Sequence, residues 1–157
     1  MATGTNNRHI TPVILLLLLL TSCQAAPPPP PTTASVGDEF ILIPNQSAAI
    51  LGTDLTLRLL AVSNDARCPL DIECAESGPV TLTISLQKDG NDPAEFTLQT
   101  FTDNDGRAPQ GPFEGIQDRM EYEGCIVRVK AVLPYPLNFS DKIKDSEYQV
   151  SFVVTLK

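Results

Sequence analysis

The amino-acid sequence predicts an all-β domain, built as an antiparallel β-sandwich or a small barrel of seven to eight strands. In residues 79–87 apolar side chains alternate with threonine and serine, which is the period-two pattern of a half-buried strand. Residues 148–156 repeat this pattern, and no convincing helical period longer than two turns follows Asp38. Short strands that each have one apolar face must bury that face, either between two packed sheets or inside a barrel.

Six further segments complete the predicted strands. Residues 55–59 and 127–133 alternate clearly, whereas residues 39–43, 47–51, 95–101 and 115–120 alternate less regularly. Glycine, asparagine and aspartate, which tolerate positive φ, cluster between several of these segments. The Pro134-Tyr135-Pro136 sequence ends the strand before it, because proline has no N–H to donate to a ladder.

Length and charge restrict the classes of protein to be considered. The chain has 157 residues, enough for one domain, with 42% hydrophobic and 19% charged residues. Its formal net charge of −8 argues against nucleic acid as a partner, since phosphates require a basic face. An acidic surface also keeps an exported protein in solution.

The N-terminal segment has the pattern of an export signal. Residues 13–20 form one apolar run after Arg8. A bilayer span needs about 20 residues, so this run is too short to cross a membrane and suits the core of a signal peptide. Residues 1–22 are therefore predicted to be removed on export.

The end of this segment, Leu20-Thr21-Ser22-Cys23, resembles the bacterial lipobox. The resemblance implies diacylglycerol on the Cys23 thiol, cleavage before Cys23 and acylation, such as palmitate, on the new amino group. Two or more acyl chains anchor a protein stably, since each buried methylene contributes about 0.8 kcal/mol. Gln24 resembles an outer-membrane sorting residue for an organism with two membranes. The alternative is an ordinary signal peptide in which Cys23 is incidental.

Residues 23–35 are predicted to combine the lipidated cysteine with a tether, and residues 36–157 to form the folded domain. The five prolines of residues 27–31 favour an extended polyproline II conformation. Residues 24–35 would then span roughly 35 Å and hold the domain clear of the lipid headgroups. A spacer is favoured over the alternative, a ligand for an aromatic groove.

Three cysteines follow the tether: Cys68, Cys74 and Cys125. Export implies an oxidising compartment, where disulfides persist. Cys68 and Cys74 flank a turn-like insert and can pair within one loop, while Cys125 shares the inward parity of Val127 and is expected to be buried. The alternative pairs Cys125 with one of the other two cysteines.

Residues 63–84, SNDARCPLDIECAESGPVTLTI, resemble an element of small exported bacterial lipoprotein domains that follows D-S-R-C-P…C-V-W-A-G. Residues 132–156 resemble the ending of the same family, a strand, P-Y-P and a final strand. The resemblance implies a β-rich exported domain without an assigned activity, and it favours the Cys68–Cys74 pairing. The sequence departs from the pattern at Ala66, where serine is usual, and at Glu76, where the family has tryptophan.

The chemistry of the chain argues against an enzyme. His9, the only histidine, lies in the predicted signal peptide, so the mature chain lacks the imidazole that Ser-His-Asp and Cys-His mechanisms need. Zinc sites usually draw on Cys and His, and a zinc site is therefore not expected. A carboxylate-based hydrolase is the least favoured alternative.

Calcium is the more specific alternative. Residues 103–106, DNDG, match the later part of an aspartate-rich calcium loop, with Asp103 and Asp105 as candidate ligands. Phe101 occupies the position of the first acidic ligand, and no glutamate stands at the twelfth position. The competing interpretation is a solvated turn, and no other cofactor is expected.

The sequence thus predicts a bacterial lipoprotein, anchored to a membrane on its extracytoplasmic side and carrying one disulfide-linked β domain. A non-catalytic binding or accessory-subunit role, with an envelope protein as partner, is the leading prediction. A calcium-stabilised structural module is the second.

Overall fold

The structure is a computed structural model that describes Met1, residues 27–140 and residues 142–157. In these residues nine strands form two sheets without a closed barrel, which confirms the predicted β-sandwich. The strands are β1 (Thr32–Ser35), β2 (Glu39–Leu42), β3 (Ser47–Leu51), β4 (Leu55–Asp65), β5 (Val80–Lys88), β6 (Ala94–Thr100), β7 (Arg119–Tyr122), β8 (Cys125–Leu133) and β9 (Gln149–Leu156). A short 3₁₀ helix, Asp145–Glu147, precedes β9.

The two sheets divide the strands into a five-stranded and a four-stranded layer. The first has the order β1-β3-β4-β5-β6 and the second has the order β2-β9-β8-β7. All pairings are antiparallel except that of β1 with β3, which is parallel. The chain changes sheet between β1 and β2 and returns between β2 and β3, so its first strands link both layers.

The apolar faces of the strands meet between the sheets. In β5 the four alternating apolar residues are fully buried, and so are their partners Leu57 and Leu59 in β4. Phe152 of β9 is the largest fully buried side chain and packs near Phe40. Burying a large apolar side chain contributes about 1.5–3 kcal/mol, so the alternation seen in the sequence accounts for the sandwich.

The sandwich has two unlike ends. At the end that we call the loop end, β4 finishes at Asp65, β5 begins at Val80 and β8 finishes at Leu133. The opposite end, which we call the hairpin end, carries the tight β3–β4, β5–β6 and β7–β8 turns. Long segments that belong to neither sheet therefore collect at the loop end.

The first strand and the start of β7 differ from the sequence prediction. Thr32–Ser35 forms β1, so four residues assigned to the tether belong to the sheet, and the described strands number nine. Residues 115–118 are not a strand, and β7 begins only at Arg119. The side chain of Arg128 draws the preceding loop inward, since it donates to three backbone carbonyls there and to Asp118.

Residues 2–22 of the predicted signal peptide and Cys23 lie outside the described residues. Among the residues that are described, no helix is long and apolar enough to span a membrane.

Candidate functional site at the loop end

A buried arginine organises the loop end. Arg67, two residues beyond β4, is only 4% exposed. Its Nε and Nη2 atoms donate to the two carboxylate oxygens of Asp65 at 2.8 and 2.6 Å. Nη1 donates to the carbonyl of Val132 at 2.8 Å, and Nη2 also donates to that of Pro134 at 2.9 Å. One guanidinium thus ties the end of the first sheet to the end of the second.

The electrostatics of this cluster keep Asp65 charged. Burial alone would raise the pKa of Asp65, but the hydrogen bonds and positive charge of Arg67 outweigh burial and lower the pKa. The hydroxyl of Tyr148 donates to the same carboxylate at 3.0 Å. Burial, followed by the charge of Asp65, raises the pKa of Tyr148, so this phenol remains protonated as a donor.

Tyr135 connects the arginine to the disulfide loop. The guanidinium carbon of Arg67 lies 4.9 Å from the centre of the Tyr135 ring, a cation–π distance. The Tyr135 hydroxyl donates to the carbonyl of Cys68 at 3.0 Å. Cys68 and Cys74 form a disulfide, as predicted, while Cys125 is buried and free. Tyr135 is itself buried, so its ring belongs to the framework of the loop end and not to its exposed surface.

The disulfide loop packs along the segment that follows β8. The amides of Leu70 and Asp71 donate to the carbonyls of Pro136 and Leu137 at 3.2 and 3.1 Å. The Asp71 carboxylate accepts from the amide of Phe139 at 3.1 Å. These contacts order two irregular segments against each other without a sheet.

Position 78, at the end of the cysteine element, has room only for glycine. Its amide donates to the carbonyl of Ala66 at 2.9 Å. A Cβ at position 78 would lie 2.6 Å from the Cβ of Ala66 and 2.8 Å from its carbonyl oxygen. The chain can close behind the disulfide loop only because residue 78 lacks a side chain.

A groove opens beside this framework. It encloses about 610 Å³ between the last residues of β4 and the segment from Pro136 to Tyr148. Val62 and Ile143 contribute apolar surface, while Asn64 and Lys142 contribute polar groups. This combination suits a contact that buries apolar atoms and fixes orientation through a few polar ones.

Apolar side chains also project from the loop end into solvent. We call this set the loop-end patch; it consists of Leu70, Ile72, Leu133, Leu137 and Phe139. Leu137 is 62% exposed and Phe139 is 78% exposed. Leu70, Leu133 and Leu137 line one shallow depression of about 450 Å³. Neighbouring apolar groups of this size on a surface mark an interaction site more often than scattered ones do.

The buried charged groups at the loop end pair with each other. Arg67 and Asp65 satisfy each other, and the one free cysteine in the described part of the chain is buried. No group of three or more His, Cys, Asp or Glu that could hold a metal ion occurs among the described residues.

The structure gives Asp103 a role in its turn. One carboxylate oxygen accepts from the amides of Asp105 and Arg107 at 3.0 and 2.8 Å. Gly106 adopts a φ of 76°, and a Cβ there would lie 2.6 Å from the carbonyl oxygen of Val132. These contacts account for the DNDG sequence as a turn, and calcium binding at Asp103 and Asp105 stays a prediction. Calorimetric titration with calcium, with Asp103→Ala as the control, would test it.

Sequence reasoning did not assign a role to Arg67, and it did not predict that Asp65 pairs with it. The sequence shows only that Arg67 directly precedes Cys68 and follows Asp65, at the end of an alternating strand, by two residues. Burial of that arginine depends on carbonyls more than 60 residues further along the chain. Local spacing does not contain this information.

Comparisons of the chain with family models, with curated proteins and with solved structures find no match.

Proposed function

We propose that this protein is a lipid-anchored extracytoplasmic lipoprotein whose β-sandwich is a non-catalytic binding or accessory subunit. The groove beside Arg67 is its binding surface, and a segment of an envelope protein is the ligand class that fits it best. The single observation that supports binding is an open, mixed apolar and polar groove beside a framework fixed by the Arg67 network and a disulfide. The lipobox resemblance at Cys23 supports the anchor.

A rigid framework favours binding because little conformational entropy is lost on association. Residues 62–65 belong to β4, whose ladder with β5 fixes them, and Asp65 is additionally held by Arg67. The opposite wall holds Tyr148, which hydrogen-bonds to Asp65 across the groove. A ligand would thus meet walls that are already linked.

The anchor is tested by fractionation and mass spectrometry of the full chain. We expect membrane-bound protein that begins at an acylated Cys23, and release of Cys23→Ala from the membrane. A soluble wild-type protein with an unmodified Cys23 would contradict the anchor.

The groove is tested separately by photocrosslinking in cells. A photoreactive amino acid at Asn64 is expected to give a discrete crosslinked product that Lys142→Glu weakens. Thr97, an exposed residue of β6, is the matched control position and should give none. Equal crosslinking from positions 64 and 97 would contradict a specific groove.

A further inference from the structure

The chain enters the sandwich from a defined direction. Strand β1 is parallel to β3, and β3 is antiparallel to β4, whose last residue lies at the loop end. The residues before Thr32 therefore lie on the side of β1 that faces the loop end. Gln46 Nε2 donates to the carbonyl of Pro30 at 3.0 Å, and a proline-rich segment keeps its direction over several residues. Residues 27–31 thus lead toward the loop end.

The chain between Cys23 and β1 is short relative to the domain. Nine residue steps separate Cys23 from Thr32, which is about 28 Å when extended at ~3.1 Å per residue. Thr32 is level with Leu57, through the pairing of each with Ala48. From Leu57, β4 continues to Asp65, about 26 Å further at ~3.3 Å per residue and somewhat less across its two register shifts.

The extended length from Cys23 to Thr32 is nearly equal to the distance along β4 from the level of Thr32 to Asp65. A tether that stayed extended toward the loop end would reach about the level of Asp65, the last residue of β4, after which the disulfide loop follows. The sequence-based expectation of a 35 Å stand-off included the four residues that form β1. With those residues in the sheet, a lipid attached to Cys23 brings the loop end to the bilayer surface.

The side chains at the loop end suit such contact. In the part of the chain that the structure describes, Leu137 and Phe139 are the most exposed large apolar residues after Met1, and they lie on a segment ordered by the disulfide loop. Apolar side chains of this kind insert between headgroups at a membrane interface. At the hairpin end Leu51 and Leu156 are also exposed, but they belong to strands of different sheets.

We propose that the loop-end patch rests on the lipid surface to which Cys23 is anchored, among zwitterionic headgroups. This inference depends on the lipid anchor of the proposed function. The anchor makes contact with the bilayer intramolecular, so a small apolar area is sufficient. The charges select the headgroup: exposed Asp71, Glu73 and Glu76 on the disulfide loop outnumber the exposed Lys142 and Lys144 on the segment after the patch, so anionic lipids are disfavoured.

The test uses the full, membrane-processed chain in vesicles of phosphatidylethanolamine and phosphatidylcholine. Single cysteines introduced by Leu137→Cys and Phe139→Cys carry an environment-sensitive fluorophore, with Leu51→Cys and Leu156→Cys as matched exposed controls at the hairpin end. Cys125 is buried and Cys68 is bonded to Cys74, which leaves the introduced thiol as the accessible one in the described part of the chain. Mass spectrometry first establishes that Cys23 is acylated.

We expect the labels at 137 and 139 to shift to shorter wavelength and to be quenched by nitroxide lipids, while those at 51 and 156 report water. Replacing part of the lipid by phosphatidylglycerol should weaken the shift, and added salt should restore it. With the label at 137, Phe139→Ser should lower the population in contact by about tenfold, because a large apolar side chain no longer inserts.

Two results would overturn the proposal while the anchor stands. With Cys23 acylated, labels at both ends could report water, which would show that the loop-end patch does not contact lipid and is instead a surface for a protein partner. Labels at both ends could also be quenched equally, which would show that the domain has no fixed orientation. An unmodified Cys23 is recognised beforehand by its mass, and it would overturn the anchor and this inference together.

Discussion

Two arginines of this domain each bind one carboxylate through two hydrogen bonds, in opposite surroundings. Arg67 holds Asp65 at 2.8 and 2.6 Å, and their side chains are 0% and 10% exposed. Arg107 holds Glu39 at 2.7 and 3.0 Å, and their side chains are 47% and 36% exposed. Arg67 also satisfies two backbone carbonyls at the loop end. Similar geometry therefore does not imply a similar contribution to stability.

The difference follows from water. An exposed pair exchanges its partners for solvent at little cost, and contributes about 0–1 kcal/mol. Removing one member of a buried pair leaves a charge and its hydrogen-bonding groups without partners, which costs about 3–5 kcal/mol. The loop end should depend on Arg67 far more than the outer face of the second sheet depends on Arg107.

The largest expected effect is that of Arg67→Ala. We expect a loss of about 3–5 kcal/mol in the free energy of unfolding, because Asp65 loses its positively charged partner and the carbonyls of Val132 and Pro134 lose the guanidinium donor. Arg67→Lys should recover only part, since an ammonium cannot reproduce the planar bidentate contact. Urea unfolding measures both, with Arg107→Ala as the matched control. Equal losses at positions 67 and 107 would contradict the distinction between buried and exposed pairs.

The strands were predictable where one face is buried and the register is regular. In β5 and β9 alternation continues without a break, and the predicted bounds differ from the observed ones by one residue. In β4 the register shifts after Leu59 and after Val62, so alternation is lost and the last six residues were missed. Strand β1 was missed because it directly follows a proline run and has few apolar residues.

The site was predictable only in its covalent part. Cys68 and Cys74 lie six positions apart around a turn, so their pairing is a local matter. The role of Arg67 depends on Val132, Pro134 and Tyr135, which only the packing of two sheets brings near. A sequence shows which residues can be charged, but not which charges the fold will bury.

The disulfide offers the next test, because it closes the loop beside the buried pair. Replacing Cys68 and Cys74 together by alanine should lower the free energy of unfolding by about 2.4 kcal/mol, the chain-entropy value for a seven-residue loop. Reductant should destabilise the wild type to the same extent and leave the double variant unchanged. Cys125→Ala is the control for thiol chemistry, and reductant should still destabilise it. A double variant as stable as the wild type would show that the Arg67 network alone holds the loop end.

Acid should also lower the free energy of unfolding through the Asp65–Arg67 pair, by a smaller amount than the substitutions above. The pKa of Asp65 is lowered from its ordinary 3.8, so its stabilisation is complete above that value and is lost as the pH falls through the folded-state pKa. In that interval the unfolded chain binds one more proton at Asp65, and stability falls by about 1.4 kcal/mol per pH unit. Unfolding measured from neutral pH to about pH 2.5 should show a shallower acid slope for Asp65→Asn. Identical slopes for that variant and the wild type would contradict a charged Asp65 in the native state.

The smallest effect is expected at the exposed pair. Hydrogen bonds from Arg107 lower the pKa of Glu39, so this contribution too is present above pH 4.5 and lost in acid. At neutral pH Glu39→Gln and Arg107→Gln should each cost less than about 1 kcal/mol, and the coupling measured by the double variant should shrink as salt is added. The coupling between Asp65 and Arg67 should keep most of its value in the same salt series, since solvent ions cannot approach a side chain with no exposed surface. A coupling at Glu39 and Arg107 that resists salt would mean that the outer face excludes water as well as the loop end does.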